Sequence, residues 1–239
     1  VAEQAGLNGQ ILVTIAAGIF ILPFFLFSAT AGQIADKFEK SALIRRIKLA
    51  EIAIMGLAVA ALFAGDTWFL LGVLFLMGSQ SAFFGPLKYA ILPDHLAKDE
   101  LIAGNALIEA GTFLAILVGT VIGGLLVLQV NGIAWIAATV LTLAVIGWGG
   151  SRYIPVAAPA DPALRITANF LSETWRIVAR SAEQRSVFLS ILGISWFWLV
   201  GATFLAQFPA LARDVLGGDA TVVTLFLTVF SVGIGLGSL

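Results

Sequence analysis

Three polar side chains stand among apolar neighbours in the stretch Phe84 to Gly124: Lys88, Asn105 and Glu109. A charge near the middle of a hydrocarbon layer costs at least ~2.5 kcal/mol. A chain that keeps such groups holds them inside a bundle or beside a water-filled cavity. Their chemistry is complementary to a charged headgroup. A cation or an amide donor binds a phosphate, and a carboxylate binds an amine or a cation. Asn105, Glu109, Thr112 and Thr120 recur at helical steps and share one stripe. Gly111, Ala115, Gly119 and Gly123 form a second stripe, and small residues at this spacing let helix backbones approach closely in lipid. We therefore expect the second stripe to pack. Lys88 shares a helix face with Gln80 and Phe84. Two structural readings stand beside the functional one. Lys88 can snorkel to the interface on its long stem, and Asn105 with a protonated Glu109 can hydrogen-bond neighbouring helices. Glu51, three residues after Lys48, is expected to be its intrahelical partner.

The elements that must position these groups are set by composition. Hydrophobic residues make up 60% and charged residues 11% of the chain, against about 25% charged in an ordinary globular domain. Mean hydropathy is +1.03. Seven apolar segments stand out, at 10–34, 43–64, 68–93, 101–128, 131–150, 186–212 and 220–239, each long enough to cross a ~30 Å hydrocarbon core as a helix. Pro23 is expected to interrupt or kink the first. The fold class is therefore an all-α polytopic membrane protein. Twelve of the thirteen Lys and Arg fall in or beside alternate turns, at 35–48, 88–98 and 151–185. The positive-inside rule places the turns 35–48, 94–100 and 151–185 in the cytoplasm, with Val1 to Gly9 and Asp66 outside. The chain opens at Val1 and closes at Leu239 inside an apolar run, which we expect to be a segment of a longer protein. Composition offers no basic surface for nucleic acid. The lack of cysteine excludes a disulfide framework or a thiolate metal site. No cofactor and no metal site is expected.

The stretch 151–185 differs in kind. Pro155, Pro159 and Pro162 break any helix at its start. Beyond them Leu164, Ala168, Leu171, Trp175, Val178 and Ala182 recur at three- and four-residue steps as one apolar face, with Arg165, Arg176 and Arg180 off it. Such a helix lies flat at the cytoplasmic interface or packs on the bundle as a linker. Either way it separates five crossings from two. The expected domains are a half-bundle at 1–150, a connector with an amphipathic helix at 151–185, and the start of a second half-bundle at 186–239.

The turn from Gly32 to Lys40, GQIADKFEK, resembles the signature loop of the major facilitator superfamily: a Gly, an Asp four residues on, then cations. Gly32, Asp36 and Lys37 match. Glu39 stands where the family commonly has Gly, and Ser41 where it often has Arg. The resemblance implies that this loop joins helices two and three and helps hold the inward face closed. The seven segments are then helices two to eight of twelve, a partial major facilitator fold, and the connector falls at the family's central loop. The segments FGPLKYAILPDHL and LIAGNALIEAGTFLAILVGTVIGGLL are similar to the lysophospholipid transporter branch, most specifically at Lys88-Tyr89 and Asn105 to Glu109.

That resemblance implies transport of lysophospholipid across the bacterial inner membrane toward the cytoplasmic leaflet for re-acylation, by alternating access. For such a substrate the residue chemistry makes Lys88, Asn105 and Glu109 the expected contacts, Lys88 for the phosphate and Glu109 for the amine or a coupling cation. The resemblance also implies acyltransferase and acyl-carrier-protein synthetase domains, fused or separate. Phe83, Phe84, Trp196, Phe197 and Trp198 are candidates for an apolar wall against the acyl chain. A facilitator of another small amphipathic molecule or drug, and a membrane scaffold or enzyme domain, stay open as alternatives. His95 with Glu100 does not form the His-x4-Asp pair of a glycerolipid acyltransferase, so this segment is expected to be no enzyme. Gly233, Gly235 and Gly237 follow no strand and are not a nucleotide fingerprint. A retinal protein is excluded because the last helix has no lysine.

Overall fold

The computed structural model describes residues 9–167 and 169–237. Ala168 of the expected apolar face, and residues 1–8, lie outside the described residues. The expected apolar segments are helices: α1 Gly9–Lys37, α2 Lys40–Ala64, α3 Thr67–Ala90 with a short α4 Leu92–His95, α5 Leu101–Val127, α6 Gly132–Ser151, α8 Arg185–Ala210 and α9 Ala220–Gly237. The connector carries α7, Phe170–Ala182. Among the described residues six helices are long and apolar enough to cross a membrane, and the seventh apolar segment holds a shorter one, Thr221–Ile234. At 1.5 Å per residue the 20 residues of α6 reach about 30 Å, one hydrocarbon thickness. Many of their large apolar side chains point outward, as a lipid solvent allows: Val13, Phe63, Ile102, Leu143 and Ile194 are all exposed.

The chain divides into two compact units that do not follow chain order. The first holds residues up to Leu101 together with Leu126–Glu173, and the second holds Ile102–Leu125 and Thr174–Leu239. In the first unit α1 packs on α3, and α2 packs on both α3 and α6. The α1–α3 seam depends on one glycine. A Cβ on Gly78 would lie 2.3 Å from the Phe20 carbonyl oxygen and 3.2 Å from Pro23 Cγ. Helix α1 continues past Pro23 rather than breaking there, and the proline ring is buried against this seam. Phe27 completes the seam, stacked on Phe83 (5.7 Å) and edge-on to Phe75 (6.3 Å). Asp66 caps α3 by accepting from Trp68 N–H (2.8 Å) and Phe69 N–H (3.0 Å), which satisfies donors that a helix start leaves unpaired.

In the second unit Trp198 of α8 stacks on Phe113 of α5, with centroids 5.8 Å apart. Phe208 of α8 meets Phe226 and Phe230 of α9 at 5.5 and 5.7 Å. Pro209 ends the regular part of α8, and Leu211–Val215 form a π-helical turn. Among the described residues the small-residue stripe of α5, expected to pack, meets no neighbouring helix at its glycines. A Cβ on Gly111, Gly119 or Gly123 would meet nothing within 4 Å, and Phe113 is the one buried side chain of that helix. The spacing fits a helix interface, but spacing alone does not supply a neighbour. The close approach occurs at Gly78, a single glycine with no stripe to announce it.

Candidate functional site

The α1–α2 turn is a hub at the end of the first unit. Glu39 is the N-cap of α2. Its Oε1 accepts from Ser41 N–H (2.8 Å) and its Oε2 from Ala42 N–H (2.7 Å). The same carboxylate also accepts from Ala157 N–H at 3.0 Å, 118 residues away in the connector. Burial works to raise the Glu39 pKa, but hydrogen bonds from Ala157, Ser41 and Ala42 outweigh it and hold the carboxyl down at about 2.

Lys40 is 3% exposed, and a buried ammonium needs partners. It has three ties. Nζ donates to Asp94 Oδ2 at 2.8 Å and to the Ala158 carbonyl at 3.1 Å, and its backbone N–H donates to the Ala157 carbonyl at 3.2 Å. Ala157 is buried in the core cluster with Ala35, Ile44, Leu87 and Ile91. The connector thus runs as a strap over the α1–α2 turn. It is fastened again where Asp161 N–H donates to the Asp36 carbonyl (2.9 Å) and Thr167 N–H donates to Gln33 Oε1 (2.7 Å). Of the expected loop residues, Asp36 is exposed and contributes this carbonyl, Lys37 Nζ lies 5.9 Å from the Phe38 ring centroid, and Gly32 has open space about it. The ion pair at this end is Lys40–Asp94.

Deeper in the same unit lies a polar cluster. Lys48 Nζ donates to Glu51 Oε2 at 2.8 Å, the intrahelical pair expected from the spacing. Gln80 of α3 donates to the same oxygen at 2.8 Å, and Lys48 Nζ sits 4.7 Å from the Phe84 ring centroid, a cation–π contact. Gly147 of α6 makes room for this lysine: a Cβ there would lie 3.7 Å from Nζ. Four residues from two helices therefore satisfy one another in a region where each charge alone would be costly. The link between Glu51 and Gln80 was not expected. Its signal is a polar side chain on the same face as Phe84, opposite an i,i+3 ion pair.

Lys88 is half-buried on α3 in the first unit, with Nζ 4.8 Å from the Tyr89 ring centroid. Asn105 and Glu109 stand on α5 in the second unit, the former exposed and the latter half-buried. Each of the three has an interaction within the structure. On the same stripe, the Thr112 hydroxyl donates to the Ile108 carbonyl of its own helix at 2.7 Å. The expected aromatic wall divides between the units. Phe83 and Phe84 pack in the first, while Phe197 and Trp198 meet edge-on in the second with centroids 6.1 Å apart. An apolar groove of about 380 Å³ in the second unit is lined by Phe197, Val229, Phe230, Gly233, Ile234 and Gly237. No group of three or more His, Cys, Asp or Glu among the described residues has metal-binding geometry.

Comparison with known proteins fits this architecture. Residues 6–239 match the major facilitator family described as transmembrane secretion effector. Among curated proteins the chain is similar to the lysophospholipid transporter LplT of Escherichia coli O139:H28 (strain E24377A / ETEC), at 31% identity over 194 residues, covering 77% of this chain and 45% of that protein. The LplT proteins of Escherichia coli (strain K12 / DH10B) and Shigella boydii serotype 18 (strain CDC 3083-94 / BS512) match with the same identity and coverage. The chain therefore spans about 45% of the length of these relatives. With its long apolar helices and a family match over nearly all of its length, the chain belongs to the major facilitator superfamily of membrane transporters.

Proposed function

We propose that the protein moves lysophospholipid across the bacterial inner membrane to the cytoplasmic leaflet, where re-acylation follows, by alternating access. The observation that carries this reading is the 31% identity over 194 residues to proteins named as lysophospholipid transporters. Chemistry supports it in two ways. Lys88, Asn105 and Glu109 supply a cation, an amide and a carboxylate, the groups that bind a phosphate, an amine or a coupling cation. The groove lined by Phe197 and Phe230 is apolar and of the size that small lipophilic groups fill. In this reading residues 1–150 and 186–239 belong to two half-bundles that rock about the connector. The segment itself is a transport unit without catalysis, and any acyltransferase or synthetase activity resides in further domains or separate proteins.

Uptake of labelled lysophospholipid into spheroplasts expressing the full-length protein is the test. Uptake above the empty-vector level, abolished by Glu109→Gln at equal protein amount, is the expected result. No uptake by protein correctly inserted in the membrane refutes it. The family description as secretion effectors favours a second reading, export of another small amphipathic solute. That reading predicts efflux of such a solute with no lysophospholipid uptake.

A further inference from the structure

The connector does not stay at the end of the helices; it descends along α1. Asp161 N–H bonds the Asp36 carbonyl at 2.9 Å, and Thr167 N–H bonds Gln33 Oε1 at 2.7 Å. The Phe170 ring then stands edge-on to Phe25 at 6.0 Å. Phe25 precedes Lys37, the end of α1, by twelve residues, or about 18 Å along the axis at 1.5 Å per residue.

The faces of α7 differ in character. At 100° per residue Leu171, Trp175, Val178 and Ala182 share one side. Leu171 is 58%, Trp175 74% and Val178 43% exposed within the protein. The edge carrying Phe170 and Glu173 is turned inward, with Glu173 only 5% exposed. Arg176 and Arg180 occupy the remaining sector. Between 165 and 185 the chain carries Arg165, Arg176, Arg180 and Arg185 against Glu173 and Glu183, a basic balance. A helix with an open Trp-bearing face and a basic flank lies in the plane of a membrane interface, its apolar side about 5–10 Å into the headgroup and acyl boundary. Basic residues on the cytoplasmic side are drawn to anionic phospholipid. The open apolar face and the charge complementarity together favour lipid over a protein partner.

We propose that α7 is an amphipathic anchor seated in the cytoplasmic leaflet, with its Leu171–Trp175–Val178 face in the acyl boundary and Arg176 and Arg180 on anionic phospholipid headgroups. The 239-residue chain has no cysteine, so single-cysteine reporters are direct, with any cysteine outside it replaced in the full-length protein. Trp175→Cys, Val178→Cys and, on the polar flank about 90° round the helix, Ser172→Cys are labelled with bimane in nanodiscs containing brominated lipid. Positions 175 and 178 are expected to show blue-shifted emission, quenched by bromolipid and shielded from iodide, with position 172 showing the reverse. Replacing anionic phosphatidylglycerol by phosphatidylcholine shifts the emission at 175 to the red. Arg176→Gln/Arg180→Gln removes that lipid dependence.

Iodide quenching at 175 and 178 means an aqueous helix and overturns the proposal. Protection from both quenchers means a protein-covered face and overturns it equally. A lipid dependence that survives the double arginine replacement overturns the assignment of the headgroup contact to these arginines. None of these readouts depends on transport, so their outcome is separate from that of the uptake test.

Discussion

Glu39 offers the sharpest perturbation of the strap. Its carboxylate accepts three backbone N–H groups, two from the first turn of α2 and one from the connector. Loss of an N-cap costs about 1 kcal/mol, and a hydrogen bond to a charged group contributes about 1.5–3 kcal/mol. Glu39 is half-buried, so solvent screening argues for the low end of the second figure. Glu39→Ala is therefore expected to destabilise the first unit by about 2–3 kcal/mol. It should also free the connector locally. The measurements are thermal unfolding of the purified protein in detergent and limited proteolysis within 158–167, where cleavage should become faster.

The pH dependence has a defined sign. The folded-state pKa, about 2, lies below the ordinary 4.5, so the contribution of Glu39 is present above pH 4.5 and is lost as the pH falls through about 2. The stability gap between wild type and Glu39→Gln should thus be constant near neutrality and close in strong acid. Unchanged melting together with unchanged cleavage of Glu39→Ala would refute the strap as a stabilising element.

Three further outcomes are expected. Gly78→Ala places a methyl 2.3 Å from the Phe20 carbonyl oxygen, about 1.1 Å inside an ordinary 3.4 Å contact, and should cost about 1–3 kcal/mol or more by overpacking; Gly72→Ala, with open space around it, should be neutral in the same melting assay. Lys88→Ala and Glu109→Gln should each reduce lysophospholipid uptake strongly at wild-type protein level, with Lys88→Arg retaining part, and normal uptake by both would remove them as substrate contacts. Asp36→Asn should raise the accessibility of cytoplasmic-side cysteines by shifting the balance of open and closed states, and unchanged accessibility with unchanged uptake would reduce Asp36 to a helix end.

Much of the fold is visible in the chain because lipid imposes a simple rule: every backbone group must be satisfied within the segment, so long apolar runs become helices. The runs at 43–64 and 131–150 coincide with α2 and α6 to within three residues. The Lys48–Glu51 pair follows from helical spacing alone. What spacing does not provide is a neighbour. The α5 glycines have the periodicity of an interface and meet nothing, while Gly78 makes the closest approach without any pattern. Glu39 looked like a departure from a signature loop. Its partner is a backbone N–H 118 residues away, and no local pattern reports a backbone donor at that distance. The proposed site residues Lys88, Asn105 and Glu109 stand out by the cost of charge and amide among apolar neighbours, which is a property of sequence. What each of them binds is a property of the whole transporter.

The strap also sets a timetable. At about 5–20 residues per second, a ribosome needs roughly 3–11 s after making Lys40 to deliver Asp94, 54 residues on. It needs roughly 6–24 s after Glu39 to deliver Ala157. Throughout the first interval the Lys40 ammonium lacks its Asp94 partner and stays hydrated, which favours the α1–α2 turn at the water boundary while α3 is still being threaded. Throughout the second, the turn is capped on one side only. Fastening therefore comes last, after five long helices have been made, and it can close only if the turn and the connector lie on the same side of the membrane. A nascent chain inserted upside down would carry Ala157 to the same side as its partners just as readily, but with Lys37, Arg45, Arg46 and Arg152 translocated as well. The latch checks completeness, and the cations around it check polarity.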